Sequence, residues 1–150
     1  MGNLARVAEQ ARHGAKYAAA ALLALVTLAV FYVLQDYGPE SAIRRFHRAA
    51  QNGDVRELQR VTAEPVTNPA VGEMYNWVRR MQRIGGRYRL ARVERQPTRV
   101  YAALVYEIPN GEQYATVWVV VKPRGSTLWQ VAATDTRTIL RRGLVGVPTN

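Results

Sequence analysis

The clearest feature of the hydrophobic pattern is an unbroken apolar run near the N-terminus. From Tyr17 to Leu34 the chain has no charged residue, proline or glycine, and Thr27 is the only clearly polar residue. As a helix this run would be roughly 27 Å long, at about 1.5 Å per residue, close to the ~30 Å hydrocarbon core of a bilayer. The pattern therefore predicts one N-terminal transmembrane helix over residues 17–36, behind a short amphipathic segment over residues 1–16.

A cleavable signal peptide is the alternative interpretation of this run. However, the run is longer than the apolar region of a signal peptide, which is about 7–15 residues, and no pair of small residues for a peptidase follows it. We therefore expect an uncleaved anchor. Tyr17, Tyr32 and Tyr37 are expected at the membrane interface, because the phenol ring prefers the headgroup layers.

The charges that flank the run predict its orientation. Arg6, Arg12 and Lys16 precede it, whereas Asp36 and Glu40 follow it before the next arginine. The positive-inside rule then places the N-terminus in the cytoplasm and the C-terminal domain outside it, in the periplasm of a bacterium. The chain has no cysteine, which excludes a disulfide framework, a thiol nucleophile and a cysteine-based metal site.

Three segments with helical periodicity follow the run. Asn52-Gly53 ends the first, and Asp54 with Glu57 forms a capping box that begins the second, whose apolar side would carry Val55, Leu58 and Val61. The predicted helices cover Ser41–Gln51, Asp54 to about Pro65, and Ala70–Arg83.

The hydrophobic period changes from about 3.6 to 2 after Gly85-Gly86, which predicts strands. Asn110-Gly111 is a strong hairpin signal between the second and third of them. The third strand is apolar on both faces, so we expect it to be central and buried on two sides. The predicted strands are Tyr88–Arg95, Val100–Ile108, Gln113–Lys122 and Leu128–Thr134.

Helices followed by a meander indicate an α+β fold. About three helices would pack on a curved antiparallel sheet of about four strands, in a domain over residues 38–136. The basic, apolar C-terminal tail over residues 137–150 either packs back on this domain as a short helix or lies on another subunit.

Two short motifs resemble the nuclear-transport-factor-2-like superfamily, a group of cone-shaped domains. The first is A-I-R-R-F-H-R-A-A-Q-N-G-D-V-R-E-L at Ala42–Leu58, and the second is the W-x-V of Leu128-Trp129-Gln130-Val131. The resemblance covers roughly Glu40 to Thr136. It implies the fold and little about activity, because this superfamily includes isomerases, dehydratases, transport factors and membrane-anchored domains without known activity.

An enzyme of this superfamily would carry acid or base residues inside the cone. We interpret His47 as a partly exposed polar residue and Asp54 as a helix cap, while spacing supplies no partner for Glu73 or Asp135. Glu107 flanks a hairpin turn. No metal-ligand spacing or nucleophile motif occurs, so neither a catalytic residue nor a cofactor is predicted. The aromatic residues expected to face inward are Tyr101, Tyr114, Trp118 and Trp129.

The formal net charge of +10 is unevenly distributed along the chain. One dense stretch, opposed only by Glu94, holds Arg79, Arg80, Arg83, Arg87, Arg89, Arg92, Arg95 and Arg99. This stretch is either a solvated surface or an electropositive flank that meets anionic lipid headgroups or an acidic protein, since arginine pairs with phosphate and carboxylate. Nucleic acid is not expected, because no stacking-aromatic motif is visible. The predicted partner or lipid contacts are Arg79, Arg80, Arg83, Arg87, Arg141 and Arg142.

Two functional hypotheses remain at this point. In the first, the protein is a non-catalytic accessory subunit that braces a larger integral membrane complex through its span and its basic domain. The small residues Ala18 to Ala21, Ala24 and Ala29 favour close helix packing in lipid. In the second, the domain is a membrane-tethered binder of, or enzyme acting on, a small apolar ligand in the cone.

The predicted topology can be tested by labelling. We expect a cysteine at Gln51 or Asn110 to react with a membrane-impermeant thiol reagent in intact cells, and a cysteine at Asn3 not to react. The reverse labelling pattern would place the basic domain in the cytoplasm.

Overall fold

A computed structural model of the chain describes residues 17–32 and 38–143, with side chains up to residue 141. The chain divides into two compact units, Met1–Asp36 and Tyr37–Asn150. In the first unit, helix α1 covers residues 17–32 and its side chains are exposed.

The described part of the chain contains no helix that is both long enough and apolar enough to cross a membrane. The amphipathic segment over residues 1–16, the last residues of the expected span and Tyr37 all lie outside the described residues. The membrane span therefore stays a prediction.

The second unit has the predicted α+β architecture. Its four strands form an antiparallel meander in the order β1-β2-β3-β4. Helix α2 contacts α3, α4 and the sheet at β3 and β4, and α5 contacts α4 and β3. The elements are α2 Pro39–Asn52, α3 Val55–Val61, α4 Pro69–Arg83, β1 Arg87–Arg95, β2 Arg99–Glu107, β3 Gln113–Val121, β4 Gln130–Val131 and α5 Ala133–Gly143.

The predicted junction between the first two helices is confirmed by the capping contacts, whereas the predicted end of the second helix near Pro65 is wrong, because α3 ends at Val61 and Thr62 forms a β-bridge with Val131. Gly53 has φ 68°, the left-handed conformation that closes α2 and favours glycine. The Asp54 carboxylate then accepts a hydrogen bond from the Glu57 backbone N–H at 3.0 Å and begins α3. The prediction for Val55 is wrong, because its side chain is 59% exposed and only Leu58 and Val61 of that helix are buried.

The sheet has two different faces. The inner face carries Val100, Ala102, Leu104 and Tyr106 of β2 with Thr116, Trp118 and Val120 of β3, all buried in the core under α2. The outer face carries the alternate residues of the same strands. They are Arg87, Arg89, Arg92 and Glu94 of β1, Arg99, Tyr101, Ala103, Val105 and Glu107 of β2, and Gln113, Ala115, Val117, Val119 and Val121 of β3.

Burial on both sides holds for only part of β3. Trp118 and Val120 on the inner face and Val119 on the outer face are fully buried. Toward the start of the strand, Ala115 is exposed and the Tyr114 side chain is 39% exposed. The expected two-sided burial is therefore wrong for the first half of the strand.

The predicted fourth strand, Leu128–Thr134, is mostly not a strand. β4 is only Gln130–Val131, and α5 begins at Ala133. The cause is a long-range cap: the Glu64 carboxylate accepts the backbone N–H groups of Ala133 and Thr134, both at 2.9 Å, and so satisfies two donors that a helix start leaves free.

Helix α5 closes the open edge of β3 beyond β4. The Ala132 N–H donates to the Val119 carbonyl at 2.8 Å, and the Val119 N–H donates to the Thr136 hydroxyl at 2.9 Å. Arg137 and Arg141 pair with Glu73 of α4 at 3.2 and 3.1 Å. The first part of the tail thus packs back on its own domain as a helix, and residues 144–150 lie outside the described residues.

The covered part of the outer face can be tested with a matched pair of variants. Val119→Asp should lower the free energy of unfolding by on the order of 3 kcal/mol, because a carboxyl group would be buried under α5 without a partner. Ala115→Asp, on the same face of the same strand, should change it by less than about 1 kcal/mol because that position is exposed. Urea unfolding of the full chain in detergent, followed by tryptophan fluorescence, measures both. Equal stability of the two variants would contradict the cover by α5.

Candidate functional site

The one histidine among the described residues lies in the core. His47 follows Ile43 by four residues and precedes Ala50 by three on α2, so it shares the buried face of that helix. Its side chain is 3% exposed. The interpretation of His47 as a partly exposed residue is therefore wrong, and its spacing from Ile43 and Ala50 was the sequence signal that could have located it.

Both ring nitrogens of His47 are occupied. Nδ1 lies 2.8 Å from the Ile43 carbonyl and must carry the proton, because a carbonyl can only accept. Nε2 therefore accepts the hydrogen bond from the Tyr106 hydroxyl, also at 2.8 Å. This tautomer satisfies a polar ring that is removed from water.

Aromatic rings cover the imidazole. The Tyr88 ring stacks on His47 with centroids 4.0 Å apart, and the Trp118 ring lies 4.7 Å away. Phe46 meets Trp118 edge-on at 5.2 Å. These separations are direct ring contacts, so the side chains themselves fill the space around His47.

The environment keeps this pair uncharged. Burial lowers the pKa of His47 from 6.5 to about 4, and the hydrogen bond to the Ile43 carbonyl offsets only part of that effect. Burial likewise raises the pKa of Tyr106 well above its usual value. A weakly basic imidazole whose Nε2 is already bonded, beneath the Tyr88 ring, is not placed to take a proton from a substrate.

The other ionisable residues considered from the sequence lie apart from His47. Asp54 caps α3, Glu73 holds α5, Glu107 pairs with Arg89 at 2.9 Å, and Asp135 pairs with Arg99 at 3.1 Å. Among the described residues no carboxylate hydrogen-bonds to His47, and no group of three histidine, aspartate or glutamate residues could hold a metal ion. Within the described part of the chain these side chains are therefore engaged separately and are not gathered around His47.

The aromatic residues of the core differ from those expected. Trp118 is buried as predicted, but Tyr101 lies on the outer face and Tyr114 at the exposed end of β3. Trp129 lies in the loop before β4 and, as expected, is partly buried against the core. Tyr106 was missed because Tyr101 was assigned to the inner face of β2. The residues on that face are Val100, Ala102, Leu104 and Tyr106, and Tyr101 alternates with them.

The predicted contact arginines lie in different surroundings. Arg79 is half-buried and donates to the Tyr75 hydroxyl at 3.2 Å. Arg80 and Arg83, in the last turns of α4, and Arg87, at the start of β1, are exposed. Arg141 is engaged with Glu73, and the side chain of Arg142 lies outside the described residues.

A second candidate site lies on the outer face of the sheet. A shallow depression of about 150 Å³ is lined by Arg92, Glu94, Tyr101, Ala103 and Val117. The register explains it, because Ala103 is paired with Arg92 on one side and Val117 on the other, and its small side chain leaves room between them.

Tyr17 and Tyr32, the described members of the predicted interface tyrosines, are 76% and 73% exposed.

Comparison with known proteins gives no family for this chain. No protein family matches it, and no curated protein is similar to it. A solved structure of an LEH-like epoxide hydrolase of M. tuberculosis has 23% identity over 70% of this chain and 90% of its own, with a TM-score of 0.35. Because the sequence identity and the TM-score are both low, this similarity assigns neither a fold nor an activity to the chain.

The buried imidazole predicts a pH dependence of stability. Since the folded pKa of about 4 lies below the unfolded 6.5, the unfolded state binds more protons between these values, and stability falls as the pH falls through that window. From about pH 7 to about pH 5 the loss should be about 2 kcal/mol. His47→Gln should remove this slope, whereas His13→Gln should keep it. Urea midpoints across this range measure the effect, and an unchanged slope in His47→Gln would contradict it.

Proposed function

We propose that this protein is a membrane-tethered, non-catalytic accessory subunit whose domain, of nuclear-transport-factor-2-like type, binds an acidic surface of a larger membrane complex. The observation that carries the proposal is a contrast: the ionisable group in the interior is closed off, while arginines on the surface are open to a partner.

The interior supports a structural role for His47. Its two nitrogens are bonded to Ile43 and Tyr106, and the Tyr88 and Trp118 rings lie against it. A tethered enzyme or a binder of a small apolar ligand, the alternative function, would need space where these rings are in contact. We therefore favour the accessory role.

The basic flank supports binding. Arg80, Arg83 and Arg87 are exposed, and no carboxylate among the described residues pairs with them. Arg141 differs, because it already holds α5 against Glu73. Unpaired arginines offer planar, bidentate hydrogen bonds to carboxylates or phosphates, so they suit an acidic protein surface or anionic lipid headgroups.

The tether is supported by the apolar run. The large apolar side chains of α1 are at least 50% exposed. They include Leu22, Leu23, Leu25, Val26, Leu28, Val30 and Phe31. A helix that is apolar on every side needs a nonpolar environment, and a bilayer or a hydrophobic partner helix would provide it. The flanking charges favour a cytoplasmic N-terminus and an extracytoplasmic domain.

Copurification tests the role of the flank. The full-length chain is isolated in mild detergent from the membranes of its own host, and the proteins that accompany it are quantified at increasing salt. Replacement of Arg80, Arg83 and Arg87 by Glu should release the partner at low salt, because the charge pairs would become repulsive, whereas the unmodified protein should release it only as salt screens them.

A matched variant controls for the change of net charge. Replacement of three other exposed arginines by Glu changes the net charge equally and should leave the partner bound. These arginines are Arg56, Arg60 and Arg124. Equal release by the two triple variants would contradict a specific basic flank. Loss of function in His47→Gln with an unchanged complex would favour the catalytic or ligand-binding alternative.

A further inference from the structure

The outer face of the sheet has an ordered pattern that the packing of the domain does not use. Its middle part forms three rows across the strands, which are Glu94–Tyr101–Val119, Arg92–Ala103–Val117 and Arg89–Val105–Ala115. Each of these three rows has a charged residue on β1 and uncharged, mostly apolar residues on β2 and β3. A further row, Arg87–Glu107–Gln113, lies beyond Arg89 and is polar throughout. The face is therefore an apolar strip with a charged border on one side.

The size of the strip matches one helix. Two strands at about 4.8 Å spacing give a width close to the ~10 Å diameter of a helix, and three rows at about 6.8 Å spacing extend over roughly 14 Å, or about two and a half helical turns. Among the described residues, Ala132 and Thr136 of the α5 region cover the end of the strip at Val119, where both bond to the backbone of that residue. Ala103, Val105 and Val117 are half-buried, and Ala115 is exposed.

The depression at Ala103 suits a single side chain. Its volume of about 150 Å³ is well below the 300–1,000 Å³ of ordinary small-molecule sites. In protein interfaces, a depression of this size commonly binds one large side chain of the partner, which serves as a buried anchor. The recessed alanine and valine side chains do not protrude, so they are poorly shaped to enter a bilayer.

The border selects the charge of the occupant. The border carries three arginines, Arg87, Arg89 and Arg92, and one carboxylate, Glu94, so its net charge is positive. Arg87 and Arg92 have no carboxylate partner among the described residues, whereas Arg89 pairs with the exposed Glu107. A second copy of this chain would bring the same arginine border and its own net charge of +10, which disfavours close approach. Carboxylates beside an apolar anchor complement the border.

We propose that the outer face is the docking site for an acidic amphipathic helix of a partner protein. One large apolar side chain of that helix enters the depression over Ala103, and carboxylates on the adjacent turns pair with Arg87 and Arg92. The inference rests on the proposed accessory role and adds the place and the chemistry of the contact.

Binding of synthetic helices tests this site. The probe is a three-turn amphipathic peptide with a leucine anchor and glutamates along one flank, and the matched peptide carries lysines in place of the glutamates. Each is titrated by fluorescence anisotropy into the full-length protein held in nanodiscs of zwitterionic lipid. The acidic peptide should bind at least about tenfold more tightly than the basic one.

Two variants separate the charge from the depression. Arg92→Glu should lower the affinity for the acidic peptide about tenfold and raise the affinity for the basic one. Ala103→Leu, which fills the depression with an apolar side chain, should lower the affinity for both peptides. Arg56→Glu, on α3, should change neither affinity. Hydrogen exchange should show protection by the acidic peptide at β2 and β3.

Three outcomes would overturn the proposal. They are equal binding of the two peptides, unchanged binding in Arg92→Glu, and binding of the outer face to phosphatidylglycerol vesicles or to a second copy of the chain in preference to the acidic peptide. The accessory role fails separately: if the peptide binds as expected but the native complex does not depend on Arg80 and Arg83, which lie on α4 outside the docking site, the docking site stands without that role.

Discussion

The helices are joined to the sheet by a buried hydrogen bond, from the Tyr106 hydroxyl of β2 to His47 of α2. The bond can exist only in one tautomer, because the other nitrogen of His47 donates to the Ile43 carbonyl in its own helix. Each partner would be left buried and unsatisfied if the other were lost, and such a loss costs about 1–3 kcal/mol. The contact therefore fixes the rotation of α2 about its axis as well as its distance from the sheet.

The same contact organises the aromatic residues. With His47 fixed, Tyr88 stacks on the imidazole and Trp118 lies against it, and Trp118 in turn meets Phe46. Polar atoms and rings thus share one core, in which the imidazole serves as a flat packing surface with two directional bonds. An interior of this kind specifies one arrangement more sharply than aliphatic side chains alone, because rings must match in angle and hydrogen bonds in direction.

Local signals were sufficient for most of the elements. The Asn52-Gly53-Asp54 sequence located the junction of α2 and α3, and alternation with the Asn110-Gly111 turn located β2 and β3. The failure at α5 involves a distant partner, because α5 depends on Glu64, which lies 69 residues before Ala133. The helical spacing of His47 indicates its burial, but it does not reveal the hydrogen-bond partner of Nε2, Tyr106, which lies 59 residues away. The depression at Ala103 depends on the register shift between Leu90 and Arg92 in β1, which hydrophobic alternation does not reveal.

The cap that Glu64 provides for α5 also bears on biosynthesis. A ribosome produces β3 before α5, so the backbone groups of Val119 emerge before Ala132 and Thr136 are available to bond them. Until α5 is translated and docks on Glu64, the nascent domain presents an open strand edge next to an apolar Val119, and such edges template intermolecular pairing. Completion of the domain therefore waits for α5, and in the interval before α5 docks this edge is where a nascent-chain chaperone would protect the protein from aggregation.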